Sequence, residues 1–254
     1  MKHKIILAIT LFLFILKGRA QQFINKGTIE FEVISNVKKS FPSGSFWDQI
    51  KETMPTFKTA YYNYTFADNK SIYKFDHYDE KKPKVPEFLS RGEDENEWYT
   101  DFNTGQIVLQ KNYGSTLNIK DSLRKIQWKL TNESRLIAGF NCRKAVGIIL
   151  DSVYVFAFYT DEITITGGPC TLNGLPGMIL GVTIPRLYTS LMATKLSVTD
   201  VKENIIKPVS VKKYYSNKEL NDILTKRMKD DYAREEMDES VKNYRNQMVW
   251  NAML

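Results

Sequence analysis

Hydrophobic positions along this chain recur mostly at every second residue. Ile29, Phe31 and Val33 alternate with Thr28, Glu30 and Glu32. Tyr62, Tyr64 and Phe66 alternate up to the stretch Ala67 to Lys70, after which Tyr73 and Phe75 alternate back, the signature of a hairpin. Trp98, Thr100 and Phe102 lead into Asn103 to Gly105, and Gln106 to Gln110 returns. Ile126, Trp128 and Leu130 run up to Asn132 to Ser134. Further strands are expected around Leu136 to Leu150 and Val153 to Thr160, separated by Asp151 and Ser152, and then over Met178 to Ile184 and Ser190 to Val201. Period-two runs at these turn spacings predict a mainly β fold, a curved antiparallel sheet or half-barrel of about nine to eleven strands.

Period 3.6 surfaces only twice. Ser45 with Asp48 predicts an N-terminal box for a short helix over Phe46 to Met54, which Pro55 limits. Ser216 and Glu219 repeat that spacing ahead of Leu220, Leu224, Met228 and Tyr232, and Met237, Val241, Tyr244 and Met248 resume one step later. This reads as one long, charged C-terminal helix with a narrow apolar stripe. It either packs on the sheet or its open edge, or docks on a partner protein.

The first residues stand apart from this pattern. A short basic start is followed by the apolar run Ile5 to Leu16, and Gly18 and Ala20 occupy the small-residue positions of a signal-peptidase site. The run is too short to cross a bilayer of roughly 30 Å comfortably. Three segments are therefore expected: a signal peptide over 1–20, an antiparallel β domain over 21–215 and a C-terminal amphipathic helix over 216–254. The expected mature chain has no transmembrane segment and is exported, to the periplasm or in association with the outer membrane.

Charge follows from that division. The whole chain carries +7, and losing Lys2, Lys4, Lys17 and Arg19 with no acid leaves +3. A mature chain with 32 basic and 29 acidic residues has no electrostatic footprint for nucleic acid.

Candidate chemistry is sparse. Cys142 and Cys170 are the only cysteines. In an oxidising compartment an even count makes a structural disulfide the default, stabilising by roughly 3–4 kcal/mol; a nucleophilic cysteine is the rival reading. His77 is the one histidine of the mature chain, so a zinc site of several histidines is impossible, and a cysteine–histidine mechanism would have to run through it. It sits among acids in Asp76 to Glu80, and a second acidic cluster spans Gly92 to Glu97. Neither has the spacing of a calcium loop. No catalytic residue, metal site or cofactor is assigned. Tyr62, Tyr64, Phe66, Tyr73, Phe75, Trp98, Phe102 and Trp128 are candidates for one concave face, either as core packing or as a receptacle for an apolar ligand.

The densest local signal is Gly167 to Val182, GGPCTLNGLPGMILGV. Pro176 and Gly177 suit the central positions of a type II turn, Asn173 and Gly174 a second tight turn, and Gly168 and Pro169 the end of a strand. Gly181 marks a bulge or a close backbone approach. None of the residues from Gly167 to Gly177 is charged, which favours a rigid corner over a phosphate cradle and leaves a recognition surface as the alternative.

Asn173 to Leu180, preceded by Tyr159 to Pro169 and by Ile137 to Ala145, resembles the GLPGLI family of exported Bacteroidota proteins. Four segments stand in the family's order from Gly139 to Leu180; Met178 replaces a leucine, and Phe158 stands where many members carry tryptophan. The motif positions, of unknown role, are Gly168, Pro169, Gly174, Leu175, Pro176, Gly177, Met178 and Ile179. The resemblance implies an envelope protein without assigned enzymatic activity, accessory to an outer-membrane TonB-dependent transporter or secretion complex. Joined to the missing catalytic inventory, it gives the leading expectation of a non-catalytic protein that binds a partner or ligand. The alternatives are a carrier of a lipid or apolar ligand in a half-barrel, and an envelope hydrolase using cysteine and His77.

Overall fold

The computed structural model describes residues 23–87, 90, 92–199, 201–231 and 239–254. The signal peptide expected over 1–20 lies outside the described residues, as do Tyr232 and Met237 of the expected helical stripe.

Among the described residues eleven strands form one antiparallel sheet. They are β1 (Gly27–Asn36), β2 (Phe57–Ala67), β3 (Lys70–Tyr78), β4 (Glu97–Asp101), β5 (Gln106–Asn112), β6 (Thr116–Ser122), β7 (Trp128–Ile137), β8 (Phe140–Ile149), β9 (Val153–Thr160), β10 (Met178–Ile184) and β11 (Thr189–Ser197). The spatial order is β6-β5-β4-β3-β2-β1-β11-β10-β9-β8-β7. Two meanders therefore meet where β1 pairs with β11, and the consecutive strands β6 and β7 stand at opposite edges.

That topology forces curvature. Laid flat, eleven strands would separate the edges by about 48 Å at ~4.8 Å per strand. Only residues 123–127 join Ser122 to Trp128, a reach of at most about 21 Å. The sheet must roll until its edges approach, and it does so as an open barrel with a seam between β6 and β7.

The alternation read from sequence decides what the barrel encloses. Phe31 is opposed by Tyr62 on one side and Ala193 on the other, and Tyr62 by Phe75. The same face continues through Tyr64, Tyr73 and Trp98, and on the other meander through Leu191, Val182, Ala157 and Ala145. All of these except Phe75, which is half-buried, lie in the core. Their rings pack edge-on and offset: Phe31 meets Tyr73 at 6.1 Å and 84°, and Tyr62 stacks on Tyr73 at 5.0 Å. Each such pair adds about 0.5–1.5 kcal/mol beyond its buried area.

Turns follow residue chemistry. Asp68 and Asn69 both take positive φ between β2 and β3, as a tight hairpin turn requires. Asn132 to Ser134, expected to end a strand, instead lie within β7 at a register shift between Leu130 and Ser134. The chain turns later, at Ala138 and Gly139, both with positive φ. There the tip of the β7–β8 hairpin folds over the outer face of the sheet. A Cβ on Gly181 would lie 2.7 Å from Ile137 Cδ1, so glycine is required where the tip lands. The expected bulge is present too, between Ile179 and Gly181.

The helices are α1 (Val37–Ser40), α2 (Ser45–Glu52), α3 (Asn217–Asp231) and α4 (Glu239–Met253). In α2 the N-cap is Gly44 and not Ser45, and Asp48 pairs with Lys51 at 2.9 Å. The C-terminal box forms as expected: Ser216 N–H donates to Glu219 Oε2 at 2.7 Å, and Glu219 N–H to Ser216 Oγ at 3.2 Å. The single long helix expected over 216–254 is two helices that pack against each other. Ends eight residues apart on one straight helix would stand about 12 Å apart and could not touch. Leu220 and Leu224 of α3 and Ala252 and Met253 of α4 join the barrel core.

Candidate functional site

Residues 161–177, between β9 and β10, do not loop away from the barrel. The segment starts by pairing with the N-terminal stretch, Ile24 N–H donating to Glu162 O and Thr164 N–H to Ile24 O, each at 3.0 Å. It then turns inward, and its glycines make this possible. A Cβ on Gly167 would lie 2.3 Å from Tyr64 Oη and 2.6 Å from Phe102; one on Gly168 would lie 2.7 Å from Ile179 Cβ. Gly167 O accepts from Ile179 N–H at 2.8 Å, so the segment is stitched to β10 as it enters.

Beyond Pro169 the chain reverses, with Leu172 N–H donating to Pro169 O at 3.3 Å. Cys170 lies in this turn at φ +58°, a conformation rare for a residue with a side chain. Asn173 then fixes the segment at the seam. Its Nδ2 donates to Arg124 O at 3.1 Å, and its carbonyl oxygen accepts from Trp128 Nε1 at 2.8 Å. The corner ends at Pro176, where Gly177 N–H donates to Leu175 O at 2.8 Å. This is a three-residue γ-turn, not the expected type II turn. A Cβ on Gly177 would lie 2.0 Å from Thr160 O, so close approach to β9 dictates this glycine.

The motif positions are thus brought together as a plug. Gly168, Pro169, Leu175, Gly177, Met178 and Ile179 are buried, while Gly174 and Pro176 reach the surface at the seam.

Cys170 is carried into a polar pocket of the aromatic core. Lys111 on β5 points inward, in step with Leu109, and is 1 % exposed. Its Nζ sits 3.9 Å above the Trp98 ring, a contact worth about 2 kcal/mol when desolvated. Among the described residues no carboxylate pairs with Lys111. Burial pushes the Lys111 amine down to about 8, with Cys170 as the one opposing influence. Burial likewise pushes the Cys170 thiol up to about 11, against the pull of Lys111. Tyr62, Tyr73 and Tyr113 feel Cys170, and burial raises all three. The Tyr73 hydroxyl is buried without a partner. Sequence reading missed Lys111; its place two residues beyond Leu109 on an inward-facing period was the available signal.

Both cysteines are free, and the expected disulfide does not form. The period of two sends Cys142 to the face opposite Ala145, beneath the folded-over hairpin tip, where its Sγ lies 3.6 Å from Phe140 O. Cys170 belongs to the inner face. Burial raises the Cys142 thiol to about 12.

His77 is not brought to either sulfur. It lies on the outer face, stacked on Tyr61 at 4.6 Å, with Nδ1 2.6 Å from Asp76 Oδ2. A depression of about 430 Å³ there is lined by Glu30, Tyr61, His77, Asp79, Glu80 and Lys81. The second acidic cluster pins neighbouring strands: Glu93 takes Tyr78 Oη at 2.6 Å and pairs with Lys58, and Glu95 accepts from Asn112 Nδ2 at 2.8 Å. Among the described residues no group of acids, histidines and cysteines could hold a metal ion.

The outer side of the second meander is more open. Ile148 and Tyr154, a directly opposed pair on β8 and β9, are 47 % and 54 % exposed. On edge strand β7 Leu130 and Leu136 are 54 % and 67 % exposed, but they pair with Ala145 and Asn141 and so take the opposite face from Ile148 and Tyr154. A depression of about 470 Å³ runs from Ile148 and Tyr154 to Asp151, Ser152, Pro185 and Arg186.

Residues 104–228, 125 of the 254, match a family model described as "N-glycanase peptide, N-terminal domain". Two solved structures of PNGF-II, in P21 and C2 crystal forms, are similar at 13 % and 12 % identity. They cover 76 % and 89 % of this chain and 31 % and 33 % of their own, with TM-scores of 0.47 and 0.45. This chain therefore spans about a third of their length. No curated protein matches it.

Proposed function

We propose that this chain is an exported, non-catalytic envelope protein of the GLPGLI type, and that the β7 edge with the outer face of β8 and β9 receives a partner protein. The observation that carries this reading is the exposed, directly opposed pair Ile148 and Tyr154 on the outer face of β8 and β9, one strand in from the unpaired edge of β7. Single exposed apolar residues are ordinary; an opposed pair at the rim of a depression beside a strand edge is not. The open backbone of β7 offers main-chain hydrogen bonds to an added strand, and the flanking side chains select it.

The buried motif supports a scaffold role for the corner: it closes the barrel seam and fixes where β7 begins. The match over residues 104–228 to an N-terminal-domain model includes β7 to β9 and the corner, which supports a module that works beside a larger partner. An outer-membrane transporter or secretion complex is the partner class we favour, from the likeness of the motif to an envelope family. The carrier reading finds less support, because the inner face is filled by its own rings and by residues 161–177.

Photo-crosslinking from position 154 in intact envelopes tests the proposal. The expected result is a discrete adduct with one outer-membrane protein, lost when Ile148 is changed to Glu. A chain that folds, is exported and gives no adduct from that position overturns it.

A further inference from the structure

The depression on the outer face of β8 and β9 has two chemically different ends. At one lie Ile148 and Tyr154, opposed across the two strands and both exposed. At the other lies Arg186, in the 3-10 turn Pro185–Leu187 between β10 and β11. Its guanidinium is held from two sides. The group lies over the Trp250 ring of α4 at 5.0 Å, and Nη1 donates to Ser152 Oγ at 3.2 Å and to Ser152 O at 3.4 Å. Among the described residues Nε and Nη2 have no partner, and no carboxylate pairs with Arg186. Asp151 also lines the depression. Burial lowers the Arg124 guanidinium and Asp151 is the first charge to oppose that, so the field of Asp151 is shared with a second arginine. Arg186 is thus an exposed cation, fixed beside an apolar pair and balanced by no acid of its own.

We propose that this depression reads one feature of the partner protein: an extended segment with an apolar side chain and, two residues away, an Asp or Glu whose carboxylate takes Arg186. The inference rests on the partner reading above and adds the chemistry that selects the partner. Spacing sets the pattern. Ser152, which anchors Arg186, stands two residues before Tyr154, and two residues of extended chain span about 6.6–6.8 Å. Side chains i and i+2 of a strand share one face at that same separation, so a segment laid along β9 places both groups at once. Guanidinium geometry sets the acid. With Nη1 spent on Ser152, the adjacent Nε and Nη2 remain, and they match a carboxylate through two parallel N–H···O bonds. Prior fixing also favours binding, because a guanidinium held by a ring and a hydroxyl loses little further freedom.

Photo-crosslinking from position 154 in intact envelopes supplies the readout, with the adduct mapped to its sequence and Arg186 varied. The mapped segment of the partner should carry Asp or Glu two residues from the residue joined to position 154. Arg186→Gln should lower the adduct yield roughly tenfold, and Arg186→Lys, which keeps the charge but not the fork, should fall between. Raising the ionic strength should lower the yield with Arg186 in place and leave that of Arg186→Gln unmoved, which a purely structural role for Arg186 would not do. Changing the partner's acid to Arg should restore the yield of Arg186→Glu. An undiminished adduct with Arg186→Gln, or a mapped segment without an acid at that spacing, overturns this inference and leaves the partner reading in place. No adduct from the chain with Arg186 intact overturns both. The mapped sequence stands as a readout even if a variant fails to fold.

Discussion

The indole N–H of Trp128, the first residue of β7, donates to the carbonyl oxygen of Asn173, in the middle of the corner, at 2.8 Å. Those residues are 45 apart in sequence, and the bond ties the corner to the start of β7 at the seam. Trp128→Phe keeps an aromatic ring and removes the donor, leaving a half-buried carbonyl unpaired. The expected loss is about 1–2 kcal/mol. Faster amide exchange should appear at Gly174 and Leu175 before the rest of the sheet, and uniform exchange across the sheet would argue against a seam role.

Gly177 and Gly174 lie in the same motif and should respond very differently to alanine. At Gly177, φ is +132° and a Cβ would lie 2.0 Å from the Thr160 carbonyl oxygen, so β9 and β10 must separate. Gly177→Ala should cost more than about 3 kcal/mol or prevent folding. At Gly174, φ is +87° but the nearest atom is 3.7 Å away, so only the conformational penalty of about 1 kcal/mol applies. Paired urea titrations measure the difference.

The same corner shows how far the sequence could be read. Period-two alternation and turn residues located ten of the strands because each buries one face. β6 escaped because only Leu117 and Ile119 of its seven residues face the core. The two-helix C-terminus escaped because its stripe continues after one phase step, and a step does not tell a kink from a reversal. Gly168 and Gly177 read as a strand end and a turn, but what Gly167, Gly168 and Gly177 approach is set by residues 11 to over 100 positions away. For Cys142 and Cys170, an even count said nothing about which face each sulfur would take.

Opposite faces make a direct prediction for those thiols. Mass spectra of the mature protein with and without reductant should coincide, and denaturation without reductant should expose two alkylatable cysteines. In the native state Cys142, which is fully buried, should resist alkylation longer than half-buried Cys170. A native mass lighter by two hydrogens, with no alkylation on unfolding, would instead mean that the hairpin tip or the corner moves to join them.

Stability should climb with pH just above neutrality, and Lys111 should be the reason. Its amine titrates at 10.5 when exposed and at about 8 in the fold. Between those values the unfolded chain binds the additional proton, so unfolding becomes harder as pH rises. The two thiols act with the opposite sign, since folding raises both above their exposed value of 9.0 and they lose stability only beyond it. The clean window is therefore pH 8 to 9. Trp98 on β4 and Cys170 in the corner stand against Lys111, and Tyr73, Tyr62 and Tyr113 surround Cys170; the thiol and the phenols remain protonated and the indole does not titrate. The expected gain across that unit is about 1 kcal/mol, and Lys111→Met, which keeps the length and drops the titration, should remove it. Urea midpoints of both proteins at half-unit steps measure the difference, and parallel curves would show that Lys111 is not the titrating group.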